Sequence, residues 1–266
     1  MILHVVERAL AARGVRRAVV ATDDRRILDA VVAAGFEAVM TRADHASGSD
    51  RLAEVAAGLT EADLIVNVQG DEPLVSPRTI ERAAEELARD REAQVVTTSE
   101  AITDAADVLS ADVVKVVTDA RGRALYFSRS PVPFPRDAVR RHGTLAAALG
   151  AEPRLLQTFR KHTGLYVYRR PFLLEYTRWP QSTLERAESL EQLRALERGA
   201  VIKVIEADSP SIGVDTEHDL ERVRQIFIQN QPHITHASTV RPEGRILASW
   251  SLAASLSAMA ASISSR

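Results

Sequence analysis

The chain has 266 residues and no cysteine, which excludes disulfides, thiolate zinc sites and cysteine nucleophiles. Its 34 basic and 36 acidic residues are interspersed and leave a net charge of -2, so it carries neither the basic footprint of a nucleic-acid binder nor a polybasic membrane patch. At 45% hydrophobic it is long enough for one large α/β domain or two small ones, and with no visible signal peptide the cytoplasm is the expected compartment.

In chain order, Ile2, Val5, Val6, Ala9 and Leu10 recur at helical spacing and Gly14 closes that helix. Ala18 to Ala21 reads as a strand ending at Thr22-Asp23-Asp24, and Ile27, Val31 and Val32 mark a second helix stopped by Gly35. A short strand, Ala38 to Met40, precedes a polar loop over Thr41 to Asp50. A helix over Leu52 to Leu59, a strand over Leu64 to Val68 and a helix from Pro77 to about Arg91 follow. The second half is richer in strands, with Val113 to Val117, Ala124 to Phe127 and Thr163 to Tyr168 around a proline-rich loop, Pro131 to Pro135. Leu184 to Arg198 reads as one helix, followed by a strand over Ile202 to Glu206. Helix and strand alternate as in a doubly wound, mostly parallel α/β sheet.

The most informative stretch is Val66-Asn67-Val68-Gln69-Gly70-Asp71-Glu72-Pro73, an apolar strand that stops in a glycine, two carboxylates and a proline. Open α/β sheets bind ligands at the carboxyl ends of their strands, and a hard cation such as Mg2+ takes one or two carboxylates together with water and substrate phosphates. Asp71 is the first candidate ligand; the same four residues also suit an ordinary turn. No Walker loop and no Gly-x-Gly-x-x-Gly occurs. The chain opens in a helix where a doubly wound domain normally opens in a strand and a phosphate loop. Two central strands are therefore expected to stand unpaired along one edge, with marginal stability.

Seven segments carry a family resemblance, in order: Thr41 to Arg51, Asn67 to Pro73, Val114 to Val117, Ala124 to Arg129, His162 to Tyr166, Glu188 to Arg194 and Gly213 to Thr216. Over about Ile2 to Phe227 the chain resembles the 3-deoxy-manno-octulosonate (Kdo) cytidylyltransferases, also called CMP-Kdo synthetases. The resemblance implies a glycosyltransferase-A-like nucleotidyltransferase fold over 1–227, with a β-rich sugar-binding and dimerisation part near 113–170. It also implies homodimers, Mg2+, and transfer of CMP from CTP to Kdo for lipopolysaccharide synthesis.

By resemblance Asp71 and Asp215 hold Mg2+, although Asp215 could also serve a helix end; Thr216 with Asp219 fits a capping box ahead of Leu220 and Val223 at least as well. Arg42, Gly48 and Ser49 resemble the pocket that reads cytosine, with Thr22 and Asp23 on a neighbouring strand end and Arg51 serving structure or a phosphate. Gln69, Arg129, His162, Tyr166, Glu188, Glu191 and Gln192 match the sugar side. There Arg129 can clamp a carboxylate and His162 can act as a hydrogen-bond partner or as a proton acceptor. Glu188 and Gln192 are four apart and are expected to share a helix face; the plainer alternative is a solvated surface.

Family members carry an amino-terminal Pro-Ala-Arg loop ahead of the point at which this sequence starts, and loss of such positive groups costs phosphoryl transfer on the order of 10³-fold or more. The expectation is therefore an impaired chain, through a misassigned start or degeneration. After Phe227 the tail carries one acidic residue, Glu243, and an uncharged Ala- and Ser-rich run from Ile246 to Ser264. A disordered extension over 228–266 is expected rather than a membrane span. The alternatives to a Kdo cytidylyltransferase are an acylneuraminate cytidylyltransferase, or a non-catalytic relative that binds the sugar and dimerises.

Overall fold

The structure is a computed structural model that describes residues 1–214, 216–229 and 246–251. The chain forms two compact units, Met1–Glu81 with Ser209–Arg266, and Arg82–Asp208. The β-rich stretch over 113–170 lies within the second.

In the first unit the strands β1 (Val15–Thr22), β2 (Glu37–Met40), β3 (Leu64–Gln69) and β9 (Ile246–Ser251) lie in the order β2-β1-β9-β3, every neighbouring pair parallel. Residues 18–22 of β1 and 64–68 of β3 are buried almost without interruption, as strands covered on both faces must be. The helix α1 (Ile2–Ala11) buries Val5, Val6 and Ala9, and its His4 ring meets Phe227 of α11 (Glu217–Gln229) at 4.7 Å. Asp24 caps α2 (Arg25–Ala33) and Ser47 caps α3 (Gly48–Gly58) by accepting a backbone N–H inside each first turn. The capping box read at the start of α11 forms: Thr216 N–H and Oγ1 donate to Asp219 Oδ2, and Asp219 N–H donates to Thr216 Oγ1.

Two expectations about this unit are corrected by β9. The strands β1 and β3 are not left with open edges: Ala248 pairs with Ala18 on one side and with Val66 on the other. The tail expected to be disordered therefore supplies a central strand, because two facing parallel edges offer hydrogen-bonding partners that an Ala- and Ser-rich sequence does not advertise. Of the run considered as a membrane span, Ile246–Ser251 is strand and 252–264 lie outside the described residues. No helix among the described residues is long and apolar enough to cross a membrane.

The helix α4 (Pro77–Arg89) ends two residues earlier than read. In the second unit β4 (Val95–Ala101) pairs antiparallel with β7 (Arg160–Arg169) and parallel with β8 (Ile202–Glu206). The hairpin of β5 (Lys115–Thr118) and β6 (Ala124–Ser128) joins β7 through Lys115 and Lys161. Between β6 and β7 lie α6 (Arg136–His142) and α7 (Leu145–Ala151), and α5 (Ala105–Leu109) and Phe159 share a small apolar cluster with α7. After β7 come α8 (Arg170–Tyr176), α9 (Thr183–Glu188) and α10 (Gln192–Glu197). The single helix expected over Leu184 to Arg198 is thus two, broken where Ser189 takes a left-handed φ of 53° and Leu190 N–H bonds back to Glu185 O. Glu188 and Gln192 do not share one helix face.

Candidate active site

Because the first unit's strands are all parallel, Thr22, Met40, Gln69 and Ser251 end at one edge of the sheet, where such sheets take ligands. Asp71 lies two residues beyond β3 and is partly exposed. The turn is set by Glu72 N–H to Gln69 O at 3.2 Å and Val75 N–H to Glu72 O at 3.1 Å. Val214 N–H donates to Asp71 O at 2.9 Å, tying the chain segment that precedes Asp215 to the candidate ligand's own backbone. Asp215 itself lies outside the described residues. Among the described residues no group of three or more His, Asp or Glu could hold a metal by itself. A carboxylate at a partly open strand end suits Mg2+, which keeps waters and substrate phosphates in its shell rather than filling it with protein ligands.

Around the neighbouring strand ends a buried arginine supplies the framework. Arg51, 5% exposed, donates from Nη2 to Asp23 Oδ2 at 2.8 Å and from Nη1 to Thr41 Oγ1 at 2.5 Å. Thr41 N–H donates to Thr22 O at 2.9 Å, and Thr22 Oγ1, itself fully buried, accepts from Asp24 N–H at 3.0 Å. Arg51 therefore joins the ends of β1 and β2, and Thr22 and Asp23 belong to that join. The exposed Arg42 donates its N–H to Glu54 Oε2 at 3.3 Å, its guanidinium stands 3.6 Å from Asp44 and 3.7 Å from Glu54, and His45 bonds the same Glu54. Gly48 and the buried Ser49 open α3 beside the Ser47 cap.

In the second unit Glu188 is a clamp rather than a solvated surface group. It accepts from Ser128 Oγ at 2.7 Å and from Arg129 N–H at 2.8 Å, with the Tyr126 hydroxyl at 3.5 Å. The Arg129 guanidinium donates to the carbonyls of Glu188 (2.7 Å), Ala111 (3.0 Å) and Ser189 (3.5 Å), which spends part of its five-donor fork and fixes the remainder in direction. Beneath it Lys115 is wholly buried and donates to the carbonyls of Ser110, Val113 and Arg129 at 2.6 to 2.7 Å; burial pushes its ammonium pKa down.

The His162 ring meets Phe127 edge-on at 5.0 Å and Tyr166 at 5.3 Å, and Tyr166 stacks on Tyr168 at 5.7 Å. Burial holds the His162 pKa down at about 3 and raises that of the Tyr166 phenol well above its ordinary value. Gln192, 7% exposed, opens α10, and the carbonyl of Glu191 accepts from the Tyr176 hydroxyl at 2.8 Å. Arg129, His162, Tyr166, Glu188, Glu191 and Gln192 thus all belong to the second unit, whereas Gln69 belongs to the first.

A cytidylyltransferase family model matches residues 1–205. The chain belongs to the cytidylyltransferase family. Among relatives of this cytidylyltransferase, the protein named 3-deoxy-manno-octulosonate cytidylyltransferase of Trichlorobacter lovleyi is 52% identical over 225 residues, covering 85% of this chain and 87% of its own. The protein of the same name from Geobacter sulfurreducens is 52% identical over 223 residues, covering 84% and 87%. Among solved structures the cytidylyltransferase is similar to a CMP:2-keto-3-deoxy-manno-octonic acid synthetase complexed with CTP, with TM-score 0.75 and 44% identity over 86% of this chain and 88% of that one. A nucleotidyl transferase from Methanothermobacter thermautotroptrophicus, 17% identical with TM-score 0.51 over 86% of this chain and 81% of that one, shares the fold.

Reading the sequence of the cytidylyltransferase left out the groups that hold its candidate site residues: Glu54 under the Arg42 loop, Ser128 and Lys115 around Arg129, and Thr97 beside His162. Lys115 had a visible signal, a lysine inside the apolar run Val113 to Val117. Glu54 and Ser128 had none, since each looks like a surface group.

Proposed function

We propose that this cytidylyltransferase transfers CMP from CTP to Kdo, giving CMP-Kdo and pyrophosphate. The observation that carries the reading is the 52% identity, over 85% of the chain, to proteins named for that reaction. The site chemistry agrees with it. The first unit offers carboxylate and hydroxyl groups at the ends of parallel strands, and the second offers an arginine fork, a neutral imidazole and amide and carboxylate groups suited to a hydroxylated acid.

In this reading the anomeric hydroxyl oxygen of Kdo bonds to the α-phosphorus of CTP while the bond from that phosphorus to the oxygen bridging the β-phosphate breaks. Pyrophosphate leaves, and the hydroxyl proton passes to water. Arg42, Gly48 and Ser49 address the cytosine, with Thr22 and Asp23 held beside them by Arg51. Arg129 receives the Kdo carboxylate, and His162, Tyr166, Glu191 and Gln192 receive its hydroxyls, with Glu188 holding Arg129 in place. Asp71 and Asp215 would hold Mg2+, which when bound neutralises phosphate charge. Charge and position do most of the work in such transfers, so the fixed direction of these groups matters more than proton transfer.

The reading includes a homodimer and a cytoplasmic enzyme, as the family resemblance implies; Leu125 and Phe134, 62% and 61% exposed, are apolar side chains that a second copy could cover. Release of pyrophosphate from CTP that depends on Kdo tests the reading.

A further inference from the structure

We propose that Thr97 is a positioning residue that fixes His162 in the tautomer protonated at Nε2, leaving Nδ1 as a lone-pair acceptor for a hydroxyl of the sugar acid. The sugar half of this statement rests on the function proposed above; the tautomer half does not.

The argument is one of counting hydrogens. Thr97, wholly buried in β4, has its Oγ1 2.8 Å from the carbonyl oxygen of Leu165 and 2.9 Å from His162 Nε2. A carbonyl can only accept, so the single hydroxyl hydrogen goes to Leu165, and towards His162 the Thr97 oxygen can only accept. Nε2 must then carry a hydrogen. In a neutral imidazole that places the lone pair on Nδ1.

The backbone is built to bring both partners to one hydroxyl. Thr97 pairs with Tyr166 while Thr98 pairs with Thr163, so Gly164 and Leu165 bulge out of the β4–β7 ladder. The bulge puts the Leu165 carbonyl and the His162 ring on the same side chain, and the Thr98 and Thr163 hydroxyls bond across it.

The ring is neutral because burial alone acts on it, with no charged partner to offset desolvation. Among the described residues nothing bonds Nδ1. A ring this reluctant to take a proton is a poor general base near pH 7 and presents no cation to a carboxylate. What it presents is one acceptor atom, flanked by Phe127 and Tyr166. A hydroxyl satisfies that atom, whereas a carboxylate oxygen would meet it lone pair to lone pair.

The full chain labelled with 15N-histidine, with His162 assigned from the H162Q spectrum, decides the matter by NMR at pH 7. The expected signature is a protonated Nε2 and an unprotonated Nδ1, kept in T97S and lost in T97V. A wild-type ring protonated at Nδ1 or at both nitrogens, or a T97V ring with unchanged tautomer, overturns the positioning role.

Adding Kdo is expected to shift Nδ1 and leave Nε2 in place, and T97V is expected to raise KM for Kdo about tenfold while T97S stays near wild type. An Nδ1 signal that saturating Kdo leaves unmoved overturns the sugar half. Absence of Kdo binding by any probe counts against the proposed function, and the tautomer result stands apart from it.

Discussion

Arg194 closes on Glu185 through two parallel bonds, Nε to Oε2 at 2.9 Å and Nη2 to Oε1 at 2.8 Å, with both side chains almost wholly out of solvent. Glu185 Oε2 also accepts the N–H of Ser182, closing the capping box of α9. Arg194 donates to Trp179 O at 3.0 Å and lies 4.8 Å over the Tyr176 ring. The pair therefore joins α9 to α10 and sets where Glu188, Glu191 and Gln192 stand. Removing one partner strands a buried charge, so Glu185→Gln and Arg194→Met are each expected to cost about 3–5 kcal/mol in urea unfolding. The double variant is expected to lose less than the sum of the two.

Glu188 is expected to act through Arg129. Glu188→Gln keeps the shape but replaces the charged acceptor of the Ser128 hydroxyl and the Arg129 amide, a loss of about 1–3 kcal/mol in stability. If Arg129 receives the Kdo carboxylate, KM for Kdo rises in this variant while KM for CTP holds. Steady-state kinetics with each substrate varied in turn separates the two.

Stability should carry a pH signature from His162. Its folded pKa, about 3, lies below the ordinary value of 6.5, so between these values the unfolded chain takes a proton that the folded chain refuses. The His162 contribution is full above about pH 6.5 and is lost as pH falls towards 3. Denaturant unfolding of wild type and H162Q in parallel should show wild type losing stability relative to the variant across that window. Parallel curves would remove the neutral ring from the account.

The central strand β9 gives a test of the fold. Ala248→Pro removes one ladder donor and clashes within a strand paired on both sides, an expected cost of about 3 kcal/mol. In thermal unfolding that is a fall of about 6–12 °C. Equal melting temperatures for Ala248→Pro and wild type would mean that β9 adds nothing to the sheet.

Much of the first unit was legible because its strands are continuous apolar runs, and the place of Asp71 just past a strand end was legible because such a run ends abruptly at Gly70. The strand β4 was not read: only Val95 and Val96 are apolar in its first five residues, and the buried Thr97, Thr98, Ser99 and Glu100 look like surface. The break between α9 and α10 went unread because the left-handed position is a serine, without the usual glycine to mark it. The place of β9 was illegible for a different reason, since its pairing depends on edges far away in sequence. Candidate site residues could be named because their segments resemble a known family in order. Of their holders Lys115 alone had a local signal; Thr97 and Glu54 had none, because a hydrogen-bond partner is chosen by the fold.

Asp71→Asn keeps the side chain's size and removes its charge. If Asp71 helps hold Mg2+ at the phosphates, kcat falls about 10²-fold or more with the melting temperature nearly unchanged. A matching fall in melting temperature would assign Asp71 to the turn instead.

The most direct measurement is release of pyrophosphate from CTP with Mg2+ by the full chain, with Kdo, with N-acetylneuraminate and with no sugar acid, followed by identification of the nucleotide product. The account predicts release that requires Kdo, with CMP-Kdo as product. Release independent of the sugar, release driven by N-acetylneuraminate alone, or no release with Kdo above the sugar-free control would contradict it.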